Sequence, residues 1–421
     1  MTLPRSLRRG VPALALSLVA SIALAPAAVA ATAEVDGNWW YQKYGVAEVQ
    51  AEGWNGAGVK IAVIDQKIND QLPVFSSASV TVAPPVCDQE ATTTEVTDAS
   101  VHGSSVTALL VGNGEGNGAV KGIVPAADVT FYALGDDYAL CRNLEDDRSG
   151  WALALDAAVA AGADIVTMSV VNKSATDDDA AAVARALKAG VIFVAGVPNE
   201  PGQGDFPAGM NGVVSVNGFD RNGDLLTTNA GNTNVQPEVT VVAPGAEISI
   251  VAWDEWRIAW GSSSATPMVA GILAAAKQKY PDATANQLIQ SLIHNTRTED
   301  HPLERDTTGG YGYGPASLRH ILAVDPTQYP DENPLMDKTY GQPTVAQVST
   351  PTPSAGASSP APAPGGEASA PDQAGAASPL GWILGGVGAV VLAGAIITVI
   401  AVTRRKQGAQ ASGAETKGGA R

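Results

Sequence analysis

From Gly58 to Val324, short β-branched runs alternate with Ala-rich stretches of helical pattern. That alternation constrains the fold more than any other feature of the chain. Val59 to Ile64 is apolar except for Lys60 and suits a strand buried on both faces; Val129 to Leu134, Ile165 to Val170, Val191 to Ala195 and Val213 to Val216 read as further strands. Val101 to Val111, Trp151 to Ala161 and Asp177 to Lys188 read as helices. The last opens on Asp177, Asp178 and Asp179 and closes on Lys188 before Gly190, so acids sit at the positive end of the helix dipole and a base at the negative end. Strand–helix alternation of this kind implies an α/β fold, a largely parallel sheet with helices on both faces. Ligands bind such sheets outside the carboxyl ends of the strands, so polar residues just past these strands are the candidates for chemistry. Apolar residues make up 45% of the 421 positions, enough for a sizeable core.

The two ends predict a compartment. Arg5, Arg8 and Arg9 precede an apolar run from Val11 to Ala25, and Ala28-Val29-Ala30 supplies the small residues that a signal peptidase needs. Residues 1–30 therefore read as a signal peptide. Leu380 to Val402 carries no charge and at 1.5 Å per residue is roughly 34 Å long, enough to span a bilayer. Arg404, Arg405 and Lys406 follow at once, as expected of a cytoplasmic flank, which leaves 403–421 as a cytoplasmic tail. Residues 328–378 are rich in Pro, Ala, Ser and Gly, above all from Gln342 to Ser378, and read as a linker that cannot offset its own ordering entropy. The expected location is the cell membrane, single-pass, with the folded domain outside.

The net charge is −17, and both ends are basic, so the central part is more acidic still. Such a surface repels phosphate backbones, and no nucleic-acid partner is expected. Two cysteines cannot build a Cys-based zinc site, no His/Cys/Asp set has metal-ligand spacing, and no cofactor is expected. Outside the cell Cys87 and Cys141 are expected to form one disulfide, pinning loops near the cleft; the alternative is two free thiols, which would alkylate without prior reduction.

Three segments carry chemistry. Ile61-Ala62-Val63-Ile64-Asp65 puts a carboxylate at the end of a buried strand, His102-Gly103-Ser104-Ser105-Val106 puts a histidine at the start of a helical run, and Gly261-Ser262-Ser263-Ser264 opens an apolar helix. A serine hydroxyl needs a base to take its proton, imidazole can accept and return that proton near neutral pH, and a carboxylate on the far ring nitrogen fixes the tautomer. A serine at a helix N-terminus adds an amide N–H that faces a developing oxyanion. Taken singly, Asp65 reads as a cap after its strand, His102 as a surface histidine and the serines as N-caps. Together, in the order Asp, His, Ser, they read as a catalytic set. The other histidines, His294, His301 and His320, all follow the serine cluster, and none has a comparable setting.

Across residues 40–324 the chain resembles the subtilisin-like serine proteases. It is most similar to the mycosins, membrane-anchored members associated with type VII secretion. The serine segment resembles Gly-Thr-Ser-x-Ala-x-Pro-x-Val-x-Gly, which selects Ser263, and the histidine segment resembles His-Gly-Thr-x-Val. Gly190 to Asn199 resembles the run ending in the oxyanion asparagine, which gives that role to Asn199. The resemblance implies a peptidase domain over 53–327 and an extended peptide substrate lying beside Ser169, Val170 and Val171. Residues 31–52, with Trp39, Trp40 and Tyr41, read as a propeptide-like segment or a packed arm; the aromatics favour the arm.

The chain departs from the family pattern at Gln66-Lys67 after the aspartate, at Val171 where a glycine is usual, and at Pro198 before the asparagine. Asp136, Asp137, Glu145, Asp146 and Asp147 form an acidic loop that reads either as a preference for basic substrates or as solvated surface. Two functions follow: a membrane-anchored serine endopeptidase acting on protein or peptide, with type VII secretion components as partners, or a protease-like scaffold that stabilises the secretion complex and cleaves little.

Overall fold

The structure, a computed structural model, describes residues 36–349 except 88, 139–140 and 143–147. The expected signal peptide, the linker beyond residue 349, the membrane helix at 380–402, the tail, and Glu145, Asp146 and Asp147 lie outside the described residues. Among those described, no helix is long and apolar enough to cross a membrane.

Seven parallel strands form the central sheet: β1 (Lys60–Asp65), β2 (Ser79–Val82), β3 (Asp128–Ala133), β4 (Ile165–Met168), β5 (Ile192–Gly196), β6 (Val214–Phe219) and β7 (Val241–Pro244), in the order β2-β3-β1-β4-β5-β6-β7. Past Lys60 every residue of β1 is buried, which is why its sequence is a continuous apolar run rather than an alternation. A short antiparallel hairpin joins β8 (Ile248–Ile250) to β9 (Arg257–Ala259).

Helices α1 (Trp39–Lys43) and α2 (Val46–Ala51) precede the sheet. Helix α3 (Asp98–Val111) packs on α6 (Ser262–Lys279), while α4 (Gly150–Ala160) packs on α5 (Asp177–Lys188). Helices α7 (Ala285–His294), α8 (Leu318–Ala323) and α9 (Val345–Val348) complete the set. The chain winds from β1 outward to β2 and β3, then returns past β1 to β4, so the direction of winding reverses between β1 and β4. A crevice opens at such a reversal, outside the carboxyl ends of the strands. Asp65 ends β1, and Ser169 follows β4 directly.

Several boundaries differ from expectation, and two of them change what the segments do. The strand read as Ile165 to Val170 stops at Met168, because Ser169 to Val171 leave the sheet to line the crevice. The linker expected from residue 328 is, through residue 349, packed on the domain. Tyr329, Leu335 and Lys338 are buried, and the Asn211 side chain accepts from the Lys338 N–H and donates to the Pro343 carbonyl. The N-terminal segment is also packed: Trp40 is fully buried and the Trp39 indole N–H donates to the Ala246 carbonyl.

Candidate active site

Asp65 is fully buried at the end of β1. Its Oδ1 accepts from the Gln66 N–H at 2.8 Å and lies 2.7 Å from His102 Nδ1. Its Oδ2 is buried with no hydrogen bond among the described residues. His102 stands on the first turns of α3, whose start is fixed by a capping box between Thr97 and Ser100. Gly103 is glycine for want of space: a Cβ there would overlap the Lys67 carbonyl oxygen, so the loop leaving β1 lies directly on α3. The Lys67 ammonium is turned away to an ion pair with Asp136 at 2.5 Å. Burial is the largest single influence on the His102 imidazole and works to lower its pKa. The charge of Asp65 and its hydrogen bond together outweigh burial, and the net shift is upward from 6.5.

Ser263 lies in the first turn of α6, which begins at Ser262. The Ser262 hydroxyl donates to the Val197 carbonyl at 2.6 Å, tying the helix start to the end of β5. Pro267 lies inside the helix and has no N–H for the carbonyl four residues back, that of Ser263. The Ser169 hydroxyl donates to that carbonyl instead, at 3.1 Å. The Ser169 hydroxyl proton is thus committed to α6.

Asn199 accepts from the Ser262 N–H through Oδ1 at 2.9 Å, and its own N–H donates to Gln203 Oε1 at 3.0 Å. With Oδ1 held by the Ser262 N–H, the other end of the side-chain amide, Nδ2, is left for the crevice. A Cβ built on Gly261 would lie 3.2 Å from Asn199 Nδ2 and 3.3 Å from Ser263 Oγ, so these two atoms flank one small volume that only glycine leaves open. His102, Ser263, Asn199, Ser169, Val170 and Val171 all line a single cleft of about 150 Å3. The structure therefore brings together every residue the sequence proposed for catalysis and substrate contact. Gln203 carried no signal in the sequence, and Pro267 was visible there only as the proline of the serine motif; the role of each exists only across the fold.

Cys87 and Cys141 are joined by a disulfide, Cα–Cα 5.5 Å, linking the loop before α3 to the loop after β3. Gly150 leaves room for it, since a Cβ there would overlap the Cys141 sulfur. His294 stacks on Tyr329, while His301 Nε2 bonds the Thr296 hydroxyl and His320 Nδ1 the Thr296 carbonyl, all away from the cleft. Among the described residues no group of His, Cys, Asp and Glu is placed to hold a metal ion.

A buried carboxylate on one imidazole nitrogen, with the imidazole and a helix-terminal serine in one cleft, is an arrangement for acyl transfer. The model of the Subtilase family matches residues 56–314. A thermostable alkaline protease of Halalkalibacterium halodurans is 29% identical over 264 residues, covering 62% of this chain and 68% of that protein. Subtilisin DY of Bacillus licheniformis is 28% identical over 264 residues, covering 60% and 88%. Among solved structures, fervidolysin from Fervidobacterium pennivorans, a keratinolytic enzyme related to subtilisin, aligns with a TM-score of 0.54 at 23% identity. That alignment covers 68% of this chain and 45% of fervidolysin, and at that identity the likeness shows the fold alone.

Proposed function

The chain belongs to the Subtilase family and is a serine endopeptidase, and on that footing we propose that Ser263 is its nucleophile, His102 its acid and base, Asp65 the group that orients His102, and Asn199 with the Ser263 N–H the oxyanion donors. The observation that carries this is the 2.7 Å contact between Asp65 Oδ1 and His102 Nδ1. It occupies one ring nitrogen and leaves Nε2 to take the Ser263 proton and return it to the leaving amine. The oxyanion then forms between Asn199 Nδ2 and the start of α6, where preorganised donors are worth about 3–4 kcal/mol of barrier each. The acyl half of the substrate runs along the backbone of Ser169 to Val171 as an added strand.

The enzyme is anchored in the cell membrane by residues 380–402, faces outward, and works with type VII secretion components. The basic front and small residues of 1–30, the uncharged run and the Arg404-Arg405-Lys406 flank support this placement. One observation favours a scaffold role as well. Asp65 Oδ2 is buried with no hydrogen-bond partner among the described residues, and the residues that follow it, Gln66 and Lys67, depart from the family pattern. Ser263→Ala separates the two roles. A protease role predicts that peptide hydrolysis and secretion of its clients fall together, whereas hydrolysis lost with secretion intact assigns secretion to the scaffold.

A further inference from the structure

The chain leaves the sheet just past β5. The Val197 N–H still donates to the Val216 carbonyl at 3.0 Å, but Pro198 follows and has no N–H to offer. Side chains therefore hold the turn that carries Asn199. Asn234 Nδ2 donates to the Pro198 carbonyl at 2.9 Å, and Glu200 Oε1 accepts from the Asn229 N–H at 2.6 Å. The third hold is Gln203. Its Oε1 accepts from the N–H groups of both Asn199 and Glu200, at 3.0 and 3.1 Å. One oxygen gathers two consecutive amides, and it is the sole acceptor for the Asn199 N–H among the described residues.

Gln203 is itself pinned from the other side. Gly204 next to it has a φ of 92°, and a Cβ there would overlap the Asn172 carbonyl oxygen. Asn172 and Phe206 then exchange backbone hydrogen bonds at 2.8 and 3.2 Å. Asn172 directly follows Ser169 to Val171, which line the cleft. The loop from Asn199 to Phe206 thus ties the turn that carries Asn199 to the crevice-lining segment, and Gln203 lines the cleft between them.

Resting on the catalytic reading above, we propose that Gln203 is a positioning residue of the oxyanion site: it fixes the main chain of Asn199 and, through it, the place where Nδ2 meets the developing charge. The Ser262 N–H holds Asn199 Oδ1 at 2.9 Å. A hold on Oδ1 alone lets the amide pivot about that bond whenever the main chain shifts. With the main chain held by Gln203 as well, Nδ2 has one position left. A donor lowers the barrier most when it is in place before the charge forms.

The bland alternative is a glutamine that merely stabilises a surface turn. The two roles separate in a protein without Asn199 Nδ2. A positioning role then has nothing left to position, whereas a turn stabiliser costs the same as before. Gln203 is exposed, so its replacement removes no core.

The test is a double-mutant cycle on the full-length protein, read as the second-order rate of labelling by a fluorophosphonate. In that reaction Ser263 Oγ bonds to phosphorus, fluoride departs, and the serine proton passes to His102. The phosphoryl oxygen takes the place of the oxyanion, and no knowledge of the natural substrate is needed. Asn199→Ala should slow labelling about 100-fold. Gln203→Ala should slow it about 10-fold, by misplacing a donor that is still present. Gln203→Met, close in volume but without the amide oxygen, should do the same. In the Asn199→Ala background Gln203→Ala should change the rate by less than about two-fold. Wild-type labelling rates in Gln203→Ala, with Asn199→Ala slow, overturn this proposal and leave the catalytic reading standing. So does a full 10-fold loss in the Asn199→Ala background, which makes Gln203 a turn stabiliser, and so does a loss in Gln203→Ala that Gln203→Met does not share. Should Gln203→Ala fail to fold, Gln203→Met takes its place in the cycle. Wild-type labelling by Asn199→Ala overturns the oxyanion assignment together with this proposal, and no labelling of the wild type overturns the catalytic reading as a whole.

Discussion

The Ser169 hydroxyl donates to the Ser263 carbonyl at 3.1 Å, across 94 residues of sequence, and serves the acceptor that Pro267 leaves without a helical partner. The proline opens the first turn of α6, and the crevice-lining segment after β4 closes it again. One hydrogen bond thereby couples the segment expected to hold substrate to the residue expected to attack it.

Ser169→Ala should therefore lower kcat more than it raises KM, and should cost about 1–3 kcal/mol of stability as the Ser263 carbonyl loses its partner. In a Pro267→Ala background the restored N–H supplies that partner, so the same change should have a much smaller effect. A double-mutant cycle on kcat and on the urea midpoint measures this coupling. Additive effects would contradict it.

The upward shift of the His102 pKa sets the acid limb of activity. Catalysis needs the neutral imidazole, so kcat/KM should rise with pH through an apparent pKa above 6.5. Asp65→Asn should move that limb to lower pH and reduce kcat about 10^4-fold, through loss of the tautomer and of the imidazolium's counter-charge. For folding, a raised histidine pKa contributes stability that is complete below 6.5 and is lost as pH rises through the folded value. A pH–rate profile for both proteins checks the first two statements.

Gly103→Ala should reduce activity from a distance. The added Cβ overlaps the Lys67 carbonyl, so the loop leaving β1 must move, and Asp65 with it. Overpacking of this kind costs about 1–3 kcal/mol. Thermal unfolding and kcat should both fall, with His102 still present and α3 still formed by circular dichroism.

Much of this was legible before the structure. β1 could be read because a strand buried on both faces is written as an apolar run, and α5 because its ends are marked by opposite charges. The Asp-His-Ser order survives any loop length between its members, so the set could be found without the fold. Helix α3 begins at Asp98 rather than Val101 because Thr97 and Ser100 cap it, a signal present in the sequence but masked by the histidine motif. The β8–β9 hairpin is short, and β9 is only half-buried, so it has no pattern to read. The packed stretch up to residue 349 looks like linker because its anchors, Tyr329, Leu335 and Lys338, are single residues at irregular spacing.

Lys338 gives that stretch a measurable signature. Lys338 is 3% exposed, and its ammonium donates to the carbonyls of Ala208 and Val213, each at 2.6 Å, and to the Ser215 hydroxyl at 3.1 Å. Burial, with the nearby Arg305 charge, pushes its pKa down to about 7. Between that value and the usual lysine pKa of about 10.4 the unfolded chain holds a proton that the folded chain has lost. Stability from this group therefore rises with pH in that window, by about 1.4 kcal/mol per pH unit. Urea unfolding at pH 7, 8 and 9 should show this slope in the wild type and its loss in Lys338→Met; equal slopes would contradict the assignment.

The nucleophile is tested most directly by reacting the full-length protein with a fluorophosphonate and mapping the adduct by peptide mass spectrometry. Three serines stand side by side; the Ser262 hydroxyl is committed to the Val197 carbonyl, whereas Ser263 Oγ lies beside Asn199 Nδ2 at the Gly261 gap, in the cleft of His102. The expected result is a single adduct on Ser263, abolished by Ser263→Ala and strongly slowed by Asp65→Asn. An adduct on Ser262 or Ser264, or no adduct on folded protein, would contradict it.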